Sequence, residues 1–112
     1  MIKILSFGFK NGAPVGSTRI VDLRDMRNPH KLAQLRDRTG LDRDVQIYVQ
    51  EDPKFQGKLN AATAALKDGD VIAFGCFGGR HRSVAMCEIL ARRLAFHGEQ
   101  VEICHRDLRV QA

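Results

Sequence analysis

The sequence predicts an α/β domain: three layers, with a mostly parallel sheet of about four strands and flanking helices. Three observations carry this expectation. Short apolar runs alternate with segments of helical periodicity, the order that folds into a parallel sheet with crossover helices. The run Val71-Ile72-Ala73-Phe74 is apolar throughout, as a strand buried on both faces requires. Behind it, Val84, Cys87, Leu90, Ala91 and Leu94 share one helical face, broadened by Met86 and Ile89. That spacing marks a helix with one apolar stripe laid on the sheet.

In chain order, Ile2, Ile4 and Phe7 lie in a first strand that stops at Gly8. Met1-Ile2-Lys3-Ile4-Leu5 is too short for the apolar region of a secretory signal. Phe9 to Ser17 is rich in turn formers and reads as a loop. Arg19 to Leu23 is a short second strand, followed by the polar loop Arg24 to His30. Leu32 and Leu35 suggest a helical turn that breaks at Thr39-Gly40. Asp42 suits the N-cap of a helix through Val45 and Val49. Pro53 suits the first turn of another, from about Lys54 to Leu66, with Leu59, Ala62, Ala65 and Leu66 as its stripe and Gly69 as its C-terminal cap. After the buried strand comes the long helix, which Gly98 ends. Gln100 to Cys104 alternates and reads as an edge strand. Glu88 and Arg92, four apart, are placed to form an exposed pair.

The chain of 112 residues suffices for one core, so a single domain over 1-112 is expected. A composition of 44% hydrophobic and 28% charged residues excludes a disordered chain. No apolar run approaches the ~20 residues of a membrane helix. Cys76, Cys87 and Cys104 are odd in number and widely spaced, which suggests neither a disulfide framework nor a zinc site. Reduced thiols, a cytoplasmic location, no metal and no cofactor are expected. The net charge of +5 favours anionic partners.

The stretch Cys76-Phe77-Gly78-Gly79-Arg80-His81-Arg82-Ser83 lies where the buried strand ends and the long helix begins. Ligands bind at that place in open α/β sheets. Gly78 and Gly79 leave backbone N–H groups unobstructed, and the helix start adds its own unpaired donors and positive dipole end. Arg80, His81 and Arg82 add charge and fork-shaped donors that match phosphate oxygens. The expectation is therefore an anion-binding loop for phosphate. In a parallel sheet, Lys10, Arg24, Arg27 and His30 share an edge with this loop and are candidate contributors. The plainer alternative is that the glycines serve turn geometry alone and the cations are solvated.

Several blocks extend the reading to a family. Ser6-Phe7-Gly8-Phe9-Lys10 with Gly12 and Pro14, Asp22-Leu23-Arg24, Asn28-Pro29-His30, Thr39-Gly40-Leu41-Asp42, Cys76 through Val84, and His105-Arg106 run in order across nearly the whole chain. Together they resemble the C-terminal domain of the RapZ/YvcJ family, bacterial P-loop-containing nucleotide-binding proteins. The resemblance implies a phosphate-sized pocket, which in the RNase adapter branch senses a phosphorylated amino sugar. In that branch the domain also binds small RNAs. Carried over residue by residue, the pocket falls on His30, Gly78, Gly79, His81, Arg82 and Ser83, with Arg80 where the family often has lysine. Three departures stand out. The chain has no Gly-x-x-x-x-Gly-Lys-Ser/Thr run, so no N-terminal P-loop domain is expected and nucleotide hydrolysis is not implied. Phe77 replaces a small hydroxyl residue. The basic tail is reduced to Arg106 and Arg109.

The expected function is a regulatory domain binding a phosphorylated small molecule, with RNA, a protein or a second copy of the chain as partner. An enzyme is the first alternative. Cys76 and Arg82 are separated by five residues, with a hydroxyl residue following, the pattern of cysteine-dependent phosphatases. A leaving-group acid is then required, and Asp22, Asp25 and Asp107 are candidates. The resemblance accounts for the same loop without turnover, which favours binding. The second alternative is non-specific nucleic-acid binding through the basic surface. With one tyrosine and no aromatic–basic interleaving, base stacking lacks support.

Overall fold

The computed structural model describes residues 1–108. The expected Arg109 of the basic tail lies outside the described residues. The strands are β1 (Ile2–Gly8), β2 (Arg19–Asp22), β3 (Val71–Cys76) and β4 (Val101–His105). They form one all-parallel sheet in the order β2-β3-β1-β4, so the expected α/β class with four parallel strands is observed. The helices are α1 (Ala33–Arg36), α2 (Arg43–Gln50), α3 (Phe55–Thr63) and α4 (Arg82–Phe96).

Strand register decides where the core sits. Ile4 stands beside Ile72 and Ile103, and Val21 beside Phe74. Side chains alternate along a strand, so Ile2, Ile4, Val21, Ile72 and Phe74 share one face. They form a single buried cluster with Leu35, Val45, Val49, Phe55, Leu59, Met86, Ile89 and Leu90 from all four helices. Each large aliphatic or aromatic side chain buried there contributes about 1.5–3 kcal/mol.

The layers are unequal. On the opposite face, the third layer is reduced to a 3-10 turn at Phe9–Asn11. Its Phe9 ring meets the fully buried Phe7 edge-on, with centroids 4.8 Å apart. Gly75 makes that contact feasible, because a Cβ there would fall 2.4 Å from Phe7 Cζ and 2.5 Å from Phe9 Cε2. Ile20 on the same face is 44% exposed.

Several local expectations are corrected. The helix expected to reach Leu66 ends at Thr63, and Ala65 turns out of it at φ +51. Ala65 is exposed rather than part of the apolar stripe. Arg19 holds this exit by donating to the carbonyl of Ala64. Gly69 therefore caps no helix; its φ of +91 shapes the turn into β3, and its N–H donates to the Met1 carbonyl. Asp42 does stand at the N-cap of α2, but its carboxylate accepts the Thr39 N–H instead of a helix donor.

Glu88 and Arg92 take other partners than each other. Glu88 Oε2 lies 2.7 Å from His105 Nε2, and His105 Nδ1 lies 2.7 Å from Ser6 Oγ. Arg92 donates to Gln46 Oε1 at 2.7 Å. The Ser6–His105–Glu88 chain ties the edge strand β4 to β1 and α4, where β4 itself buries little. Among the described residues, no helix is long and apolar enough to cross a membrane.

Candidate functional site

A cavity of about 570 Å³ opens at the carboxyl ends of the strands. Its floor and one wall are the β3–α4 turn, through Cys76, Phe77, Gly78, Arg80, His81 and Arg82. Lys10 comes from the turn after β1, and Asn28 and His30 from the segment after β2. Arg36 and Asp37 come from the end of α1.

Close backbone approach positions the turn. A Cβ on Gly8 would fall 2.5 Å from the Gly78 carbonyl carbon. Gly79 adopts φ +80, and a Cβ there would come within 2.7 Å of Gly8 N. A Cβ on Gly40 would fall 2.2 Å from Ala85 N, while the Gly40 N–H donates to the Arg80 carbonyl at 2.9 Å. Only glycine permits these contacts. Behind them, Asp107 Oδ2 accepts the Gly8 N–H at 2.7 Å, and Arg106 Nη2 donates to the Gly12 carbonyl at 2.6 Å.

The helix begins two residues earlier than its periodicity suggests, at Arg82. Arg82 and Ser83 consequently lie in the first turn of α4, where backbone N–H groups lack helical acceptors. Arg82 is 5% exposed. Its Nη1 donates to the carbonyls of Leu23, Arg24 and Met26, at 3.4, 3.3 and 3.0 Å. Its buried Nε–H has no partner among the described residues. Ser83 is fully buried, with Oγ 3.2 Å from Cys76 Sγ. The Gly79 N–H donates to the same sulfur at 3.3 Å. Gly79 and Ser83 thus stand behind the cavity wall rather than in its lining.

His81 Nε2 lies 3.2 Å from the Arg36 carbonyl. That oxygen only accepts, so Nε2 carries the proton. Burial lowers the pKa of His81, and the nearby Arg80 charge acts in the same direction. The rings of His30 and His81 meet edge-on with centroids 6.3 Å apart. Arg36 Nε donates to the His30 carbonyl at 2.8 Å, joining the two segments across the cavity.

Six of the expected residues, His30, Cys76, Gly78, Arg80, His81 and Arg82, line the cavity, together with the contributor Lys10. Arg24 and Arg27 stand elsewhere. Arg24 grips Asp22 through Nε and Nη2 and lies 3.8 Å from the Phe9 ring centroid. Arg27 donates Nη2 to the Tyr48 carbonyl and stacks on the Tyr48 ring. Arg36 and Asp37 escaped the sequence reading. Arg36 ends a four-residue helix and Asp37 caps it, with no glycine or motif to mark them, and only the tertiary fold brings them in.

The candidate acids also stand apart from the cavity. Asp22 is held low by its hydrogen bonds from Arg24. Asp25 is held down to about 2, chiefly by Lys58 and then by Lys54. Asp107 is lowered by Arg106 and the Gly8 N–H, which outweigh the opposing effect of burial. Among the described residues, no group of three or more His, Cys, Asp or Glu side chains is placed to hold a metal ion.

Fold and site define a small parallel α/β domain with a cation-lined cavity at the carboxyl edge of its sheet. The family model described as the RapZ C-terminal domain matches residues 1–109, and the chain belongs to that family. It is 41% identical to a nucleotide-binding protein of Jannaschia sp. (strain CCS1), covering 96% of this chain and 37% of that protein. It is 40% identical to a nucleotide-binding protein of Streptomyces coelicolor, covering 94% of this chain and 39% of the relative. A nucleotide-binding protein of Thermobifida fusca is likewise 40% identical, with 94% and 40% covered. The chain therefore spans only about two-fifths of the length of these relatives.

Proposed function

We propose that this domain is a regulatory module whose cavity binds a phosphorylated small molecule, an amino-sugar phosphate being the first candidate. Occupancy would alter contact with an RNA, a protein partner or a second copy of the chain, in a cytoplasmic setting. The observation that carries the proposal is the cavity itself. Lys10, Arg36, Arg80 and Arg82 converge there from three segments, with Asp37 as the single carboxylate in the described lining. Arg82 adds a guanidinium charge to the lining, and no carboxylate among the described residues pairs with it.

Binding is preferred to phosphatase turnover because of the carboxylates. A leaving-group acid needs a proton near neutral pH, yet Asp22, Asp25 and Asp107 are all shifted the other way. The relatives' name, nucleotide-binding protein, raises a nucleotide as a second ligand class, sharing the phosphate chemistry.

Calorimetric titration with inorganic phosphate, glucosamine 6-phosphate and adenosine monophosphate tests the proposal. We expect phosphate to bind and the amino-sugar phosphate to bind more tightly. Tighter binding of the nucleotide would transfer the site to the second class. No heat from any of the three would overturn the reading.

A further inference from the structure

Anion binding as proposed makes no use of Phe77, the one phenyl ring in the described lining of the cavity. We propose that Phe77 is the specificity-determining residue of this site: its ring receives the flat face of a ring carried by the phosphorylated ligand. The site thereby selects ring-bearing phosphates over inorganic phosphate and open-chain phosphate esters. The inference rests on the anion-binding reading and adds what the rest of the ligand must be.

Exposure and bracing set Phe77 apart. It is 62% exposed, whereas Phe7, Phe55 and Phe74 are buried. The Phe7 and Phe9 rings meet each other and lie under Arg106 and Arg24. No other aromatic ring among the described residues stacks on Phe77. Phe96 is also exposed, but it ends α4, lies edge-on to His97 and is outside the described lining. The backbone of Phe77 is fixed on both sides. Cys76 ends β3, and its sulfur accepts the Gly79 N–H at 3.3 Å. The Phe77 carbonyl accepts the Lys10 N–H at 3.1 Å. A braced turn, not a free loop, therefore holds an apolar ring at a cation-lined cavity.

Size and reach define the ligand. A cavity of about 570 Å³ falls within the range of small-molecule sites, roughly 300–1,000 Å³, and exceeds what a phosphate group alone fills. Phe77 directly precedes Gly78, and consecutive Cα atoms lie about 3.8 Å apart. A ring a few bonds from a phosphate at the turn thus reaches the phenyl. Covering the exposed phenyl is favoured by the hydrophobic effect, and the ring's quadrupole favours a flat partner in offset contact. Two chemistries present such a face, the C–H face of a sugar and the π face of a nucleobase.

The test measures calorimetric affinities of the full chain for inorganic phosphate, glycerol 3-phosphate, glucosamine 6-phosphate and adenosine monophosphate. Glycerol 3-phosphate is the open-chain control. One ring phosphate should bind about 5- to 150-fold more tightly than that control, the factor that stacking one base on an aromatic side chain contributes. Preference for the amino-sugar phosphate assigns the sugar face, and preference for the nucleotide assigns the base. Phe77→Ala should remove most of the preference, and Phe77→Tyr should retain it. In the native chain, the ring current of Phe77 should also move the facing protons of the bound ligand upfield, a reading that needs no variant. If phosphate binds but neither ring compound is preferred, or if the preference survives Phe77→Ala, the inference is overturned while the anion site stands. Equal weakening of all four ligands by Phe77→Ala would assign the residue to the turn and overturn it likewise. If the native chain binds none of the four, both readings fail.

Discussion

Two clusters of positive charge stand near the carboxyl edge of this sheet, and they are built on opposite principles. One is the cavity, with Lys10, Arg36 and Arg82 in its wall. The other is a shallow cleft formed by Asp22, Arg24, Asp25 and Lys58. In the cleft every cation is matched: Arg24 by Asp22, and Lys58 together with Lys54 by Asp25. In the cavity, no carboxylate among the described residues pairs with Lys10, Arg36 or Arg82. Arg82 instead spends its Nη1 on three neutral carbonyls and keeps its charge uncompensated. Counting cations alone would mark both places as basic. Asking what each cation already holds separates a neutralised surface from a candidate anion site.

The largest expected effect comes from Arg82. Arg82→Ala should weaken phosphate binding by about 1.5–3 kcal/mol, the worth of a charge-assisted contact. It should also lower folding stability, because the carbonyls of Leu23, Arg24 and Met26 lose their donor. Lys10→Ala, with no such structural duty, keeps the binding readout clean. Phosphate affinity unchanged in both variants would erase the distinction between the clusters.

Gly79→Ala should come next. A side chain at φ +80, pressed on Gly8 N and the Asp107 side chain, costs about 1–3 kcal/mol of stability and displaces the turn. Denaturant unfolding would measure it, and a wild-type midpoint would mean that the turn is looser than described.

His81 gives the cavity a pH dependence just below 6.5, whereas the cleft's carboxylates act only below 3.8. Its folded pKa is depressed below 6.5 by burial, so the unfolded chain binds the extra proton first. Stability should be full above 6.5 and fall as the pH drops below it. His81→Gln should flatten that slope in melting curves, and an unchanged slope would assign the loss to other groups.

The smallest effect belongs to the cleft. Asp25→Asn should change stability by less than about 1 kcal/mol, since exposed pairs contribute little. Any contribution from Asp25 is present above 3.8 and disappears as the pH falls from 3.8 to about 2. Phosphate affinity should hardly move.

Much of this arrangement was legible in the sequence. The apolar run at Val71 and the stripe from Val84 to Leu94 identify the central strand and the long helix, because burial there is close to complete. The turn between them announces itself through adjacent glycines and cations. What stayed hidden depends on contacts distant in the chain. Arg24 and Arg27 look like site residues until Asp22, Phe9 and Tyr48 are seen to occupy them. Arg36 and Asp37 carry no local mark. Ala65 has the right spacing for a helical stripe, but the chain has already left the helix. The thinness of the third layer was equally unreadable, since the 9–17 segment shows its turn formers and not which face of the sheet it covers.

The central claim is that the β3–α4 turn, and not the matched cleft, receives the anion. The most direct measurement is a nitrogen–proton NMR titration of the assigned chain with inorganic phosphate. The amides of Gly78, Gly79, Arg80 and His81 should shift together and saturably, along with the ring of His30, while Asp22 to Asp25 stay still. Shifts centred on Asp22 to Asp25, or none at the turn at saturating phosphate, would contradict the claim.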